Sequence, residues 1–147
     1  QPVGDAFDAA SELRCKRVMT HRVATIALVV ADYDRAIAFY RDKLAFTLIA
    51  DVALGGDKRW VVIAAPGGGA QMLLAKAEGP EQVARIGDQT GGRVGFFLET
   101  DDFARDFAAF SAAGVRFLEA PRHEPYGSVA VFEDLYGNKW DLIAPKG

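Results

Sequence analysis

Thr25-Ile-Ala-Leu-Val-Val-Ala-Asp-Tyr-Asp-Arg-Ala-Ile-Ala-Phe-Tyr-Arg-Asp-Lys-Leu-Ala-Phe46 changes its hydrophobic period partway along. In the apolar run 23–30, Thr25, Ala27 and Val29 alternate with Ile26, Leu28 and Val30, as a two-faced strand requires. Asp32-Tyr33-Asp34 then supplies side-chain oxygens for the unpaired N–H groups at a helix start. Ala36, Ile37, Phe39, Tyr40 and Leu44 follow at helical spacing, with Arg35, Arg41, Asp42 and Lys43 largely on the other side. Further strands are predicted over 46–52, 59–64 and 71–75, punctuated by Leu54-Gly-Gly-Asp57 and Pro66-Gly-Gly-Gly69. This unit reads β-α-β-β-β.

The same order returns downstream. A strand over 93–99 leads to Asp101 and Asp102, a helix over 103–113 and a stop at Gly114, which suits a left-handed C-cap. Strands over 115–119, 128–132 and 139–143 complete the copy, with Asp134-Leu-Tyr-Gly-Asn138 as the last turn. Phe103, Phe107 and Phe110 form one helical stripe facing a sheet. The junctions Leu44-Ala45-Phe46 and Ala113-Gly114-Val115 correspond, so the chain is read as a repeat. Module 1 spans 22–77, a polar linker 78–92 carries a short helix from Pro80, and module 2 spans 93–145. Residues 1–20 form an N-terminal extension with a weak helical pattern at 8–16, and 21–146 make a single domain.

Composition narrows the function. The chain has 147 residues, 17 Lys+Arg against 20 Asp+Glu, and a formal charge of −3. Without a basic cluster it lacks the electrostatic footprint of a nucleic-acid binder. No stretch approaches the ~20 apolar residues of a membrane span, and the first twenty residues lack the apolar core of a signal peptide, so a cytoplasmic protein is expected. Cys15 is the only cysteine, and with His21 and His123 it falls short of a Cys/His zinc cluster of about four ligands.

Three fragments carry a family resemblance: 28–46, Ala112-Ala-Gly-Val-Arg-Phe117, and Phe132-Glu-Asp-Leu-Tyr-Gly-Asn-Lys-Trp-Asp-Leu142. In that order and spacing, the chain from His21 to Ala144 resembles the vicinal oxygen chelate superfamily, which includes glyoxalase I, extradiol dioxygenases, and bleomycin and fosfomycin resistance proteins. The resemblance implies an α+β fold in which two paired βαβββ modules form a cup-shaped mixed β-sheet with the helices outside. It also implies a functional floor where family enzymes hold a divalent metal through four strand positions.

Carried over by motif, those positions fall at Thr25, near Gln71, at Arg93, and at Asp141; a register taken from Asp102 puts Gly95 in place of Arg93. This set holds one strong oxygen ligand and no histidine, and an Arg aimed at a cation is repulsive, so no metal is expected. Arg93 and Asp141 are expected side by side, as a structural ion pair or as a site where Arg93 reads a ligand carboxylate, phosphate or phenolate. His123, beside Glu124 and near Tyr126 in a loop at the cup's rim, is a ligand contact or an acid–base candidate, as is Tyr126. Trp60 and Phe97 are candidate pocket walls, and Trp140, of opposite parity to Asp141, belongs beneath a helix. His21 is expected at an exposed strand start, the Pro66–Gly69 glycines are a hairpin turn, and Cys15 has no catalytic role.

The expected function is small-molecule binding in the cup without a metal, in a homodimer like the bleomycin-resistance relatives, with no cofactor, nucleic acid or membrane. The alternatives are a metal-dependent lyase, isomerase or dioxygenase, a metal-free enzyme using His123 or Tyr126, and a partner-binding module. The sequence leaves catalysis open.

Overall fold

The computed structural model describes residues 20–146; the weak helix expected over 8–16 and Cys15 lie outside them. Strand β1 (Thr25–Val30) runs through Asp32 into helix α1 (Tyr33–Ala38), which widens into a π turn over Phe39–Lys43. Asp32 caps this helix, its Oδ2 accepting from the Arg35 N–H at 2.7 Å. Strands β2 (Thr47–Gly55), β3 (Lys58–Ala64) and β4 (Gln71–Lys76) complete a sheet of order β1-β4-β3-β2. β1 and β4 are parallel and the other pairs antiparallel. Helix α2 (Gly79–Val83) lies in the linker.

The second module repeats the plan. Strand β5 (Val94–Glu99) leads to helix α3 (Phe103–Ala112), capped by Asp102 as α1 is by Asp32. Strands β6 (Arg116–Phe117), β7 (Arg122–Glu124), β8 (Gly127–Glu133) and β9 (Lys139–Pro145) follow. The order is β5-β9-β8-β6, with β5 and β9 parallel and β7 paired to β8. The mixed α+β plan of paired βαβββ modules therefore stands. The sequence reading had a plain loop where β7 folds back on β8: Arg122 and Glu124 flank His123 there in strand alternation.

The modules meet through α1. Tyr40 and Phe46 pack on Trp140 of β9, with ring centroids 5.8 and 6.0 Å apart, and Trp140 stacks on Phe132 at 5.9 Å. Trp140 thus lies beneath a helix as its parity required. The Phe103–Phe107–Phe110 stripe covers Phe117 and Phe132. Asp134, buried in the β8–β9 turn, accepts from the Tyr40 hydroxyl at 2.6 Å, from Asn138 Nδ2 and from the Tyr136 and Asn138 N–H groups. Burial first, and Asp134 second, hold the Tyr40 phenol above its usual pKa. Asp134 therefore latches module 1's helix to module 2's turn, and every acceptor lone pair it buries is met.

Among the described residues the two sheets are not joined by strand pairing. The Gln71 N–H donates to the Ala24 carbonyl and the Ala77 N–H to the Val30 carbonyl, so even-numbered β1 groups face β4 and odd-numbered ones face outward. Of the outward groups, the Val29 N–H is met by Gln89 of the linker at 2.5 Å.

Candidate functional site

In each sheet alternate residues face the helices. Leu28 pairs with Leu74 in the first sheet and Leu98 with Leu142 in the second, all on that inner side. The intervening residues form the outer, open face. On the first sheet Thr25 stands beside Gln71, Ala27 beside Leu73 and Val62 beside Leu73, with Trp60 two residues along β3 from Val62. Trp60 is 46% exposed. Thr25, Gln71 and Trp60 thus share the open face of the first sheet.

The second sheet brings a different set together. Asp141 pairs with Phe97 across β5–β9 and with Val131 across β8–β9. Phe97 is 65% exposed, and Glu99 lies on the same face two residues along β5. Arg122 pairs with Val129 on this face; it bonds Glu119 through Nε at 3.0 Å and Glu124 through Nη1 at 2.7 Å. Glu119 also accepts the Val131 N–H. Glu119, Glu124 and Tyr126 all favour the charged guanidinium. Asp141 has one oxygen, Oδ1, sealed from solvent without a hydrogen-bond partner among the described residues. Burial pushes its carboxyl above the usual carboxylate range; nearby Arg122 lowers it and Glu119 raises it.

Arg93 and Asp141 are not brought together. Arg93 is exposed and precedes β5, and its carbonyl accepts from Thr90 Oγ1 at 2.6 Å. Asp102 is the residue that caps α3, which selects the register with Gly95 seven residues ahead of it. Gly95 is the extra residue where pairing steps from Val94–Lys139 to Phe96–Trp140. A Cβ there would meet the Thr90 methyl at 2.6 Å, so the linker fills the space where a ligating side chain would project. The pairing also makes Leu73, rather than Gln71, the counterpart of Asp141. Thr25, Gln71, Gly95 and Asp141 offer a hydroxyl, an amide, nothing and one carboxylate. That donor set does not fit a divalent metal centre, and no group of three or more His, Cys, Asp or Glu among the described residues is arranged to hold one.

His123 pairs with Ser128, its Nδ1 2.9 Å from the Ser128 hydroxyl, so it shares the parity opposite to Arg122 and Asp141. Tyr126 is exposed in the β7–β8 turn, and His21 is exposed ahead of β1. The residues that sequence reasoning missed are Glu99, Glu119 and Arg122. The alternation Arg122-His-Glu124 before a turn at Pro125-Tyr-Gly127 was the signal for a hairpin that turns Arg122 onto the open face.

A cavity of about 810 Å³ runs along β5, between the Pro66–Ala70 turn and α3. Gln71 and Phe97 both line it, with Phe46, Phe96, Phe110 and Trp140 among its apolar walls. Its size and mostly apolar lining are those of small-molecule sites.

Residues 22–142 match the family described as the Glyoxalase/Bleomycin resistance protein/Dioxygenase superfamily. An uncharacterised protein from Shewanella frigidimarina is 54% identical over 127 residues, covering 85% of this chain and 94% of that protein. The crystal structure of UcmS2 superposes with a TM-score of 0.73 at 30% identity, covering 85% of this chain and 98% of UcmS2. TnmS3, an antibiotic binding protein from Streptomyces sp. CB03234, superposes with a TM-score of 0.69 at 29% identity, covering 88% and 99% of the two chains.

Proposed function

The chain belongs to the Glyoxalase/Bleomycin resistance protein/Dioxygenase superfamily, and we propose that it is a metal-independent binder of a small aromatic molecule. The observation that carries this reading is the cavity along β5, which joins Gln71 of the first sheet to Phe97 of the second within mostly apolar walls. Aromatic rings gain most from such walls, because stacking adds to the area they bury. The likeness to TnmS3 supports a binding role, and the donor-poor set Thr25, Gln71, Gly95 and Asp141 supports its metal independence.

A homodimer is part of the proposal, with residues 21–146 acting as one two-module domain. The outward groups of Thr25 and Ala27 on β1 pair with no strand among the described residues, and a second copy would cover that edge. No helix among the described residues is long and apolar enough to cross a membrane, and the cytoplasm is the proposed compartment.

Protein purified without chelator should carry no stoichiometric metal and should melt higher with planar aromatic natural products. A ligand at 100 times its dissociation constant stabilises by about 2.7 kcal/mol. Stoichiometric Fe, Mn, Ni or Zn that survives dialysis would overturn the metal-free reading, and a monomer by light scattering would remove the dimer.

A further inference from the structure

Gly67 is a glycine that the fold does not require. Gly68 and Gly69 each hold φ 90°, a left-handed backbone that side chains rarely adopt, but Gly67 lies outside that region. A Cβ at Gly67 would also meet no atom within 4 Å. Neither strain nor crowding therefore explains the missing side chain. What Gly67 does border is the cavity, within an unbroken lining run, 65–70, in which no side chain is larger than the ring of Pro66. Of the N–H groups of Gly67, Gly68, Gly69 and Ala70, only that of Gly68 is bonded among the described residues, to the Ala65 carbonyl at 3.1 Å. One wall of the cavity is thus bare backbone with unpaired donors.

The rest of the lining is of another kind. Phe46, Met72, Phe110 and Trp140 belong to the buried core, and Phe96 packs against it. The charged side chains at the margin are already committed: Asp42 to Arg41, Asp106 to Arg105 and Thr100, and Lys43 to the Ala113 carbonyl. Glu99 is exposed and keeps its charge in water. A charged group carried in among the apolar walls would lose water without gaining a counter-ion.

Resting on the reading of this cavity as the ligand site, we infer that the ligand is an uncharged two-part molecule: an aromatic ring seated among the core side chains, and a hydroxyl- or carbonyl-bearing appendage laid on the peptide groups of 67–70. Backbone N–H groups read oxygen acceptors, and glycine is where a backbone comes closest to a ligand. Gly67 is then a specificity-determining position, because its missing side chain lets the appendage reach the turn. The turn lacks the lysine and following helix that hold a phosphate, in keeping with an appendage without charge.

Three naphthalenes test it: 2-methoxynaphthalene, the ring alone; 2-naphthyl β-D-glucopyranoside, with an uncharged polyhydroxyl appendage on the same ether oxygen; and 2-naphthyl β-D-glucuronide, of the same shape with a carboxylate. Titrated against the full chain by fluorescence and calorimetry, the glucoside should bind about tenfold more tightly than the methyl ether, the gain expected of one or two net hydrogen bonds. The glucuronide should bind no more tightly than the glucoside. Gly67→Leu should bring the glucoside down to the methyl ether's affinity and leave the methyl ether within about twofold, with circular dichroism confirming the fold. Gly67→Ala should give a smaller loss in the same direction, and it stands in for the leucine variant if that chain does not fold.

A glucoside that binds no better than the methyl ether, or substitutions at Gly67 that weaken both probes alike or neither, would overturn the assignment of the turn while leaving aromatic binding in place. A tighter glucuronide would overturn the uncharged appendage. If none of the probes binds, the reading of the cavity fails and this inference fails with it.

Discussion

Thr25, Ala27, Gln71 and Leu73 make a neutral floor on the first sheet, whereas the second sheet's open face holds Glu99, Asp141, Arg122 and Glu124 around Phe97. The inner faces show no such divergence: Leu28–Leu74 and Leu98–Leu142 are the same pair at the same place in each module. The inner residues are constrained by close packing, where a single methylene is felt. The outer residues answer to whatever lies on the face. The duplicated plan thus preserves one surface and leaves the other free to acquire function.

The closing turns of the two modules separate most sharply. Asp134 sits at the centre of a buried hydrogen-bond network, while the matching turn in module 1 is the glycine run 67–69. Asp134→Ala should cost about 3–5 kcal/mol in urea unfolding, because it strands the Tyr40 hydroxyl and the turn's N–H groups. Gly67→Ala should change stability by less than about 1 kcal/mol, since a Cβ there meets no atom within 4 Å. Equal losses at the two turns would show that Asp134 is not the latch.

Next in size is Phe97→Ala, with Trp60→Ala on the neutral floor as its comparison. Phe97 lines the cavity and Trp60 does not, so Phe97→Ala should weaken binding of a neutral aromatic probe about tenfold and Trp60→Ala should leave it unchanged, neither unfolding the chain because both rings are exposed. An equal loss at Trp60 would extend the site beyond the cavity onto the first sheet.

The helix exits differ by one side chain. Ala45 and Gly114 both hold a left-handed backbone, at φ 61° and 93°, and only the glycine is free of Cβ strain. Ala45→Gly should therefore stabilise by about 0.5–1 kcal/mol and Gly114→Ala should destabilise, both readable as shifts in Tm.

Asp141→Asn should give the smallest effect. Because burial raises the Asp141 carboxyl in the folded chain, the unfolded chain loses its proton first as pH rises, and wild-type stability falls across that window. The variant should be slightly more stable than wild type near pH 7, by less than about 1 kcal/mol, with the gap closing below the carboxylate range. A variant less stable than wild type near pH 7, with the deficit closing on acidification, would mean that Asp141 is depressed by Arg122 instead.

Much of this was legible beforehand. The two Asp-capped strand–helix junctions, the Phe stripe and the beneath-helix place of Trp140 followed from period and parity, which are local properties of a chain. Thr25 and Gln71 were each placed by resemblance alone, and they stand side by side because β1 and β4 keep an uninterrupted register. Module 2 was harder to read. One extra residue at Gly95 shifts the pairing, and the choice between Thr100 and Asp102 as the reference for the cap moves the floor position by two residues.

By itself the amino-acid sequence determined the duplicated βαβββ plan, since hydrophobic period, caps and turn residues act over a few neighbours. Tertiary structure alone decided that Arg93 lies off the floor, that Thr90 occupies the space over Gly95, and that Phe97 shares the open face with its cross-strand partner Asp141. Those outcomes depend on a bulge, a linker and a hairpin folding back, each set by contacts between residues far apart in the chain.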